Sequence, residues 1–228
     1  MMGGFRYPVS LEVEGRRCVV VGGGTVAEHK ARALIEAGAA VAVVAGEVTI
    51  GLEELATAGA LEAVHRAYAD GDLEGAFLAI AATDDPGVNA AVYEEGDRAG
   101  VLVNSVDDVE HCHFAVPSIV RQGDLTVAIS TGGKAPALSK RLRKELSNRF
   151  GPEYAVLVDL VGEVRIAARP VRERVDFDTW AARWETALSD QVVALVSEGR
   201  IDEARARLLA ALAGDPALVA APLVTPCS

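Results

Sequence analysis

Three consecutive glycines follow a short apolar stretch near the start of the chain. Cys18 to Val21 is apolar and mostly β-branched, Gly22-Gly23-Gly24 comes next, and a segment with helical spacing follows. Gly22 would let the backbone turn sharply, and Gly24 would let it approach a pyrophosphate with no Cβ in the way. The free N–H groups at the start of the helix would point at the phosphates. The pattern predicts a dinucleotide site, interpreted as one for NAD, whose first contacts are Gly22, Gly23, Gly24, Thr25 and Val26.

The segments around the glycines strengthen this prediction, since a GxGxxA pattern alone also occurs in ordinary turns. Ala27, Ala31 and Leu34 recur with helical spacing after the glycines. Gly38 stands where a helix is expected to end, and Ala40 to Ala45 is a second apolar run. The order is therefore strand, glycine turn, helix and strand, as in a dinucleotide-binding βαβ unit.

Polar residues after the later apolar runs are further candidate cofactor contacts, because ligands of an open α/β sheet gather at the carboxyl ends of its strands. Gly46 and Glu47 follow the second run, and Glu47 is either a ribose ligand or a solvated loop carboxylate. The predicted contacts after the fourth and fifth runs are Thr83, Asp84 and Asn104. Asp84 or Asp85 can also cap the helix that begins near Pro86.

A basic helix predicted to begin near Pro136 is the second candidate for chemistry. Leu138, Leu142 and Leu146 recur at i, i+4 and i+8 and predict its buried stripe. The cations around that stripe are Lys134, Lys140, Arg141, Arg143, Lys144 and Arg149. In a chain of net charge −11, such a cluster is either a dock for a polyanionic small molecule or a solvated helix face.

The tripeptide His111-Cys112-His113 contains three residue types that bind metals. On a strand His111 and His113 would share a face, which suggests an iron or cobalt site. Adjacent ligands of this kind lack the spacing of established metal motifs, so we predict ordinary polar or packed residues and no bound metal.

Hydrophobic periodicity predicts the elements that position these residues. Strand and helix patterns alternate from Cys18 to Ser105 and predict a Rossmann-type α/β fold, a parallel sheet with helices on both faces. Phe114 to Val120 and Leu125 to Ser130 flank a turn and predict a β-hairpin. After Gly151 the pattern is helical and predicts a small all-α domain, in which two tryptophans at i and i+4 pack together.

Composition limits the partners of the chain. The 228 residues carry 22 basic and 33 acidic side chains, a balance that argues against a nucleic-acid or anionic-membrane partner. No apolar stretch approaches the ~20 residues of a membrane span, and the N-terminus lacks the apolar region of a signal peptide. Cys18, Cys112 and Cys227 are widely spaced, which favours reduced thiols and a cytoplasmic location.

Several motifs together resemble one enzyme family. They are Tyr7-Pro8-Val9, the run from Gly22 to Leu34, Ala81-Ala82-Thr83-Asp84-Asp85, Val88-Asn89, Asn104-Ser105-Val106-Asp107, Phe114-Ala115-Val116-Pro117-Ser118 and Ser130-Thr131-Gly132-Gly133-Lys134-Ala135-Pro136. In this order the chain resembles the precorrin-2 dehydrogenases of siroheme synthesis, which occur alone and as the N-terminal part of multifunctional siroheme synthases. The resemblance extends from Tyr7 to Phe150.

The resemblance implies NAD-dependent oxidation of precorrin-2, a carboxylate-rich tetrapyrrole, to sirohydrochlorin. The implied substrate-binding residues are Ser118, Thr131, Gly132, Gly133, Lys134, Lys140 and Arg141. Some relatives carry a serine where Thr131 stands, so the hydroxyl is kept while its modification is left open. Some relatives also insert Fe²⁺, which makes a bifunctional dehydrogenase and ferrochelatase one alternative. A non-catalytic NAD-sensing regulatory module is the other.

The family's essential aspartate corresponds to Asp107, at the end of the predicted fifth strand. A carboxylate there would face the nicotinamide and either take a proton as hydride leaves or orient the macrocycle. It would equally serve metal insertion by accepting pyrrole protons, and a loop or helix cap is the structural alternative, with Asp108 as a competitor. We predict that Asp107 is catalytic and shares one pocket with the cofactor's reactive ring and the cationic helix.

The resemblance also predicts the division of the chain. Residues 1–110 are expected to form the NAD-binding domain, and residues 111–150 a hairpin and basic helix for dimerisation and substrate binding. Residues 151–228 are expected to form the small helical domain. A short form without a methyltransferase domain, acting as a homodimer, is the expected protein.

Overall fold

The computed structural model describes residues 7–108 and 110–214, so Cys227 lies outside the described residues. The chain divides into two compact units, the first ending at Val116 and the second beginning at Pro117. The three-part division predicted from the sequence stays a prediction.

The first unit is built on a five-stranded parallel sheet with the strand order β3-β2-β1-β4-β5. The strands are β1 (Arg17–Val21), β2 (Ala40–Ala45), β3 (Glu62–His65), β4 (Leu78–Ala81) and β5 (Leu102–Ser105). The helices are α1 (Thr25–Glu36), α2 (Ile50–Thr57) and α3 (Pro86–Ala99). The strand order reverses between β1 and β4, the place where an open sheet of this kind leaves a binding crevice. The predicted Rossmann-type fold is confirmed.

Helices on both faces explain why the central strands are apolar along their length. On one face of the sheet, Val20 packs in a core with Ala27 and Ala31 of α1. On the other face, Val21 packs in a second core with Val92 of α3. The small side chains of α1 let that helix approach the sheet closely, which sets where its N-terminus points.

The second unit contains the predicted hairpin and the predicted C-terminal helices. The antiparallel strands are β6 (Ser118–Gln122) and β7 (Leu125–Ile129). The helices are α4 (Pro136–Arg149), α5 (Glu153–Ala167), α6 (Arg169–Arg172), α7 (Phe177–Ala187), α8 (Asp190–Ser197) and α9 (Ile201–Ala213). The predicted pairing of Trp180 and Trp184 is confirmed, because their rings meet edge to face with centroids 5.9 Å apart. None of the described helices has the length and hydropathy needed to cross a membrane.

The strand predicted from Phe114 to Val120 begins only at Ser118, so its first half was wrong. Pro117 has no N–H to donate to a sheet. The carbonyl oxygen of Phe114 instead accepts a hydrogen bond from the side-chain amide of Asn104, with a distance of 3.0 Å. The segment before Ser118 is therefore tied to β5 and does not extend the hairpin.

The predicted buried stripe of α4 was wrong at its first position. Leu138 is exposed, and the buried residue of the helix is Ser139, one position further on. The hydroxyl of Ser139 lies 3.2 Å from the hydroxyl of Thr131, and this hydrogen bond turns position 139 inward. Leu142 and Leu146 are partly buried on the same side.

Candidate functional site

A cavity of about 410 Å³ opens where the strand order reverses. The predicted cofactor contacts among its lining residues are Gly22, Gly23, Gly24, Thr25, Val26, Gly46, Glu47, Thr83 and Asp84. They come from the carboxyl ends of β1, β2 and β4 and from the first turn of α1. Of the predicted cofactor contacts in the described chain, only Asn104 is not part of this lining.

The glycines of the turn have different tasks. Gly22 has a φ of +123°, and a Cβ there would collide with the carbonyl group of Ala82. A Cβ on Gly23 would collide with the carbonyl group of Glu47. At Gly24 and Gly46, by contrast, a Cβ would meet no described protein atom within 4 Å. The first two glycines therefore permit close packing of the backbone, and Gly24 borders open space that a pyrophosphate can approach.

The first turn of α1 is suited to bind an anion. Gly24 is its N-cap and offers no side-chain hydrogen bond to the free N–H groups, which leaves them for a ligand. Glu28, the acid of that turn, does not compete, because Arg32 donates to it at 2.7 and 2.9 Å. The residues at this end of the cavity thus fit the phosphates of a dinucleotide.

The residues after β4 have separate roles. Asp85 is the N-cap of α3, since its Oδ1 accepts from the backbone N–H of Gly87 at 2.8 Å. Thr83 is fixed by a 2.8 Å hydrogen bond between its hydroxyl and the Oδ1 of Asn89. Asp84 is exposed and lines the cavity. Of the two aspartates considered for the helix cap, the structure assigns that role to Asp85.

Tyr68 also lines the cavity, and the sequence analysis did not identify it. Its hydroxyl donates to the carboxylate of the buried Glu95, whose other oxygen accepts from the backbone N–H of Leu73 at 2.9 Å. Burial, together with the hydrogen bond to Glu95, raises the pKa of Tyr68 well above its usual range. Tyr68 belongs to no motif and lies in an irregular loop, so its position depends on the tertiary structure alone.

The register of the sheet places the turn of Asp107 along the same edge as the cavity. Val21, Ala81 and Ser105 are in register across β1, β4 and β5. Asp107 follows Ser105 by two residues, as Thr83 follows Ala81. Adjacent strands are about 4.8 Å apart, so the turn containing Asp107 lies one strand beyond the cavity residues of β4.

Asp107 is exposed and has a φ of +60°, an uncommon conformation for a residue with a side chain. Lys30 of α1 is half-buried, and burial lowers the pKa of its amine while the negative charge of Asp107 acts in the opposite direction. Lys30 follows the cavity residue Val26 by one helical turn. That spacing was the signal in the sequence that could have identified it.

The tripeptide His111-Cys112-His113 has partners within the protein. The Nδ1 of His111 lies 2.6 Å from Oδ2 of Asp108, and the Nδ1 of His113 accepts from the backbone N–H of Val103 at 3.0 Å. The Sγ of Cys112 lies 3.2 Å from the carbonyl oxygen of Ser105. Within residues 7–108 and 110–214, no group of three or more His, Cys, Asp and Glu side chains is placed to hold a metal ion.

The predicted substrate-binding residues lie in the second unit. Ser118 pairs with Ile129 at the end of the hairpin that leads into the Thr131 to Lys134 turn. Gly132 and Gly133 have φ values of +61° and +80°, which glycine adopts without strain. The hydroxyl of Thr131 accepts from the backbone N–H of Ala135 at 3.2 Å, so this hydroxyl helps to fix the start of α4.

The exposed face of α4 borders a cavity of about 560 Å³, lined by Lys140, Arg141, Arg143 and Lys144 with Ala137, Ser147 and Asn148. Arg141 forms a 2.8 Å ion pair with Glu145. Within the described chain, the other three cations form no ion pair. These unpaired charges are available to an anionic ligand.

A hydrogen-bonded clamp behind the glycine turn is expected to make cofactor binding sensitive to Glu28. The hydroxyl of Thr49 donates to Glu28 at 2.5 Å, and the backbone N–H of Thr49 donates to the carbonyl of Gly23 at 2.9 Å. These bonds from Thr49 and Arg32 hold the pKa of Glu28 below its ordinary value of 4.5. The stability that they give is therefore present above pH 4.5 and is lost as the pH falls through the lowered pKa.

We expect Glu28→Gln to lower the Tm at neutral pH and to weaken NAD binding. The Tm difference from the wild type should shrink as the pH falls below 4.5. Thermal unfolding across this pH range and calorimetric titration with NAD measure both effects. Glu36→Gln is the matched control, because Glu36 is an exposed carboxylate on the same helix. A Tm difference that stays constant with pH would refute the assigned role of Glu28.

Comparisons with known proteins agree with this geometry. A family model described as "Putative NAD(P)-binding" matches residues 9–118, and a model described as sirohaem biosynthesis protein central matches residues 122–149. The parallel sheet, the glycine turn and the first of these models define an NAD(P)-binding protein.

The chain is similar to several named relatives and to a solved structure. The chain is 38% identical over 205 residues to a siroheme synthase of Photorhabdus laumondii, covering 88% of this chain and 42% of the relative. It is 40% identical over 202 residues to a siroheme synthase of Chromobacterium violaceum, with the same two shares. It thus spans less than half the length of these relatives.

A solved structure named SirC, precorrin-2 dehydrogenase, matches with a TM-score of 0.72 and 28% identity. The match covers 89% of this chain and 100% of that one. The chain is thus a homologue of siroheme synthases, and its fold matches that of a precorrin-2 dehydrogenase, in agreement with the resemblance of its motifs.

Proposed function

We propose that the chain catalyses the NAD-dependent dehydrogenation of precorrin-2 to sirohydrochlorin. The observation that carries the proposal is the cavity at the glycine turn, with the turn of Asp107 further along the same sheet edge. The names of the relatives supply the substrate, since SirC is named a precorrin-2 dehydrogenase and the others are siroheme synthases.

The charges around the cavity favour NAD over NADP. Glu47 and Asp84 line it, and no lysine or arginine is among its described lining residues. An additional phosphate on the ribose would bring negative charge toward carboxylates without a cation to compensate, whereas the ribose hydroxyls of NAD can donate to a carboxylate.

In the proposed reaction, the cofactor and the residues of the chain have different roles. Bound NAD would supply the hydride acceptor. The proton lost together with the hydride needs a base, and we assign this role, or that of orienting the substrate, to the exposed carboxylate of Asp107. Lys30 of α1 interacts electrostatically with that carboxylate.

We propose that the Thr131 to Lys134 turn and the cations of α4 bind the carboxylates of the tetrapyrrole. Ser118 lies beside this turn in the hairpin. Lysine and arginine form charge-assisted hydrogen bonds with carboxylates, which are about twice as strong as neutral ones. A pocket that combines these residues with Asp107 remains a prediction from the sequence.

An anaerobic assay with precorrin-2 tests the proposal. Sirohydrochlorin absorbance is expected to appear with NAD, to be much weaker with NADP and to be absent without either. The double variant Lys140→Gln/Arg141→Gln should raise KM about tenfold or more with a smaller change in kcat, because two charged contacts to substrate are lost. Arg121→Gln, at an exposed arginine of the hairpin, is the control. Turnover without a nicotinamide cofactor would refute the proposal.

Adding Fe²⁺ after the oxidation step tests the bifunctional alternative, for which metal insertion would change the product absorbance. A regulatory NAD-sensing module would instead bind NAD and oxidise nothing. The homodimer and the cytoplasmic location also remain predictions, and the mass of the protein in solution tests the first of them.

A further inference from the structure

A cavity of about 540 Å³ lies among the helices of the second unit. It is lined by Gly162, Arg165, Ile166, Arg169, Arg172 and Trp180. No motif of the sequence marks these residues, and none of them has a role in the function proposed above. The cavity volume is in the range of small-molecule sites.

Three arginines are among the residues that line this cavity. Arg165 lies near the end of α5, Arg169 and Arg172 belong to α6, which follows after the single residue Ala168, and all three line the cavity. Cations near the end of a helix are favoured by its dipole, which accounts for some of this charge. The helix dipole does not explain why three arginines line one cavity without forming ion pairs with carboxylates.

The ion pairs of the neighbouring residues leave these three arginines available to bind an anionic ligand. Glu163, two residues from Arg165, pairs instead with Arg205 at 2.6 Å. Arg172 donates one N–H to the carbonyl oxygen of Val175 at 3.0 Å. Across the part of the chain that the structure describes, none of the three cavity arginines forms an ion pair. In a chain of net charge −11, this is a local positive field.

The remaining lining residues of the cavity are Gly162, Ile166 and Trp180, which carry no charge. Ile166 is 68% exposed, and a Cβ on Gly162 would meet no described atom within 4 Å. The indole of Trp180 is partly buried and is fixed by its edge-to-face contact with Trp184 at an interplanar angle of 88°. A flat ring can stack on the indole of Trp180 while its charged groups reach the arginines.

We propose that this cavity binds a tetrapyrrole through its carboxylates. The guanidinium groups can each hold a carboxylate with two parallel hydrogen bonds, and Trp180 with Ile166 contacts the face of the macrocycle. The choice of a tetrapyrrole, from among flat polycarboxylates, rests on the proposed function. The binding itself depends only on the cavity and its charges.

The tryptophan content of the chain provides a selective probe. The chain has only two tryptophans, Trp180 and Trp184, so Trp184→Phe leaves Trp180 as the single reporter. We expect uroporphyrin, a porphyrin with carboxylate side chains, to quench Trp180 fluorescence with saturation. Added salt should weaken the binding, and a porphyrin with cationic side chains should not bind.

Variants in the Trp184→Phe background locate the site. Arg165→Gln/Arg169→Gln should weaken uroporphyrin binding about tenfold or more, because charged hydrogen bonds are lost, with an unchanged Tm. Arg174→Gln, at an exposed arginine outside the cavity lining, should bind as before. Lys140→Gln/Arg141→Gln shows whether the quenching arises from α4 instead.

The outcomes separate this inference from the proposed function. Quenching that is unsaturable, equal for the cationic porphyrin or unchanged in the Arg165/Arg169 variant would overturn the inference. Quenching that depends only on Lys140 and Arg141 would also overturn it. Saturable quenching that needs Arg165 and Arg169 supports it even where precorrin-2 is not oxidised, and in that case only the proposed function fails.

Discussion

Gly24→Val is expected to abolish NAD binding while the protein stays folded. A Cβ at position 24 meets no described protein atom within 4 Å, so the new side chain would begin in open space, where we expect the pyrophosphate to lie. The φ of −81° at Gly24 suits any residue. Valine is a poorer helix N-cap than glycine, which costs about 1 kcal/mol or less. Calorimetric titration should show NAD affinity reduced by at least about 100-fold, or about 2.7 kcal/mol.

Gly22→Ala gives the informative contrast. At this position the φ is +123° and a Cβ would collide with the carbonyl group of Ala82, so the substitution should destabilise the fold itself by at least about 1 to 3 kcal/mol. The two variants should therefore lose NAD binding for different reasons, which their Tm values distinguish. Normal NAD affinity in Gly24→Val would show that the cofactor does not cross this turn.

Asp107→Asn is expected to remove most of the turnover and to leave NAD affinity within about twofold, since position 107 is not part of the cofactor cavity. Asparagine has the shape of aspartate and tolerates the left-handed φ of +60°. The variant thus removes the charge without adding backbone strain. Loss of a general base typically lowers the rate by about 10² to 10⁴-fold, and single-turnover measurements with precorrin-2 and NAD would report this loss directly.

Asp108→Asn is the control that tests whether turnover depends specifically on the carboxylate at position 107. Asp108 bonds the Nδ1 of His111 at 2.6 Å and accepts from the backbone N–H of Glu110 at 3.2 Å, which identifies it as a loop-fixing residue. Its variant should retain more turnover than Asp107→Asn. Equal losses in both variants, or full turnover in Asp107→Asn, would remove Asp107 from the reaction.

The glycine turn and most of the cofactor cavity could be predicted because they depend on short-range rules. An apolar strand followed by glycines and a helix with small residues has few alternative geometries. The carboxyl ends of parallel strands then bring Gly46, Thr83 and Asp84 to the same edge. The proposed function followed from the combination of motifs, and the names of the siroheme synthases and of SirC agree with that resemblance.

The residues that sequence reasoning missed are placed by tertiary contacts. Tyr68 reaches the cavity only because Glu95 on a distant helix holds its hydroxyl. Leu138 was assigned to the core from its spacing, but a hydrogen bond between Thr131 and Ser139 sets which side of α4 turns inward. Asn104 stays a predicted cofactor contact, and its side-chain amide donates to the carbonyl of Phe114. Hydrophobic periodicity identifies a helix, but the face of the helix that is buried depends on tertiary hydrogen bonds of this kind.

The loop that carries Tyr68 is held in place before any ligand arrives. Asp72 accepts from the backbone N–H of Ala69 at 2.8 Å and from the guanidinium of Arg66, and Glu95 joins Tyr68 to Leu73. The entropy cost of ordering this segment is therefore met when the protein folds. Binding of a nucleotide does not incur that cost again. On this side of the cavity the chain is preorganised, so binding should be fast and accompanied by little change in backbone structure.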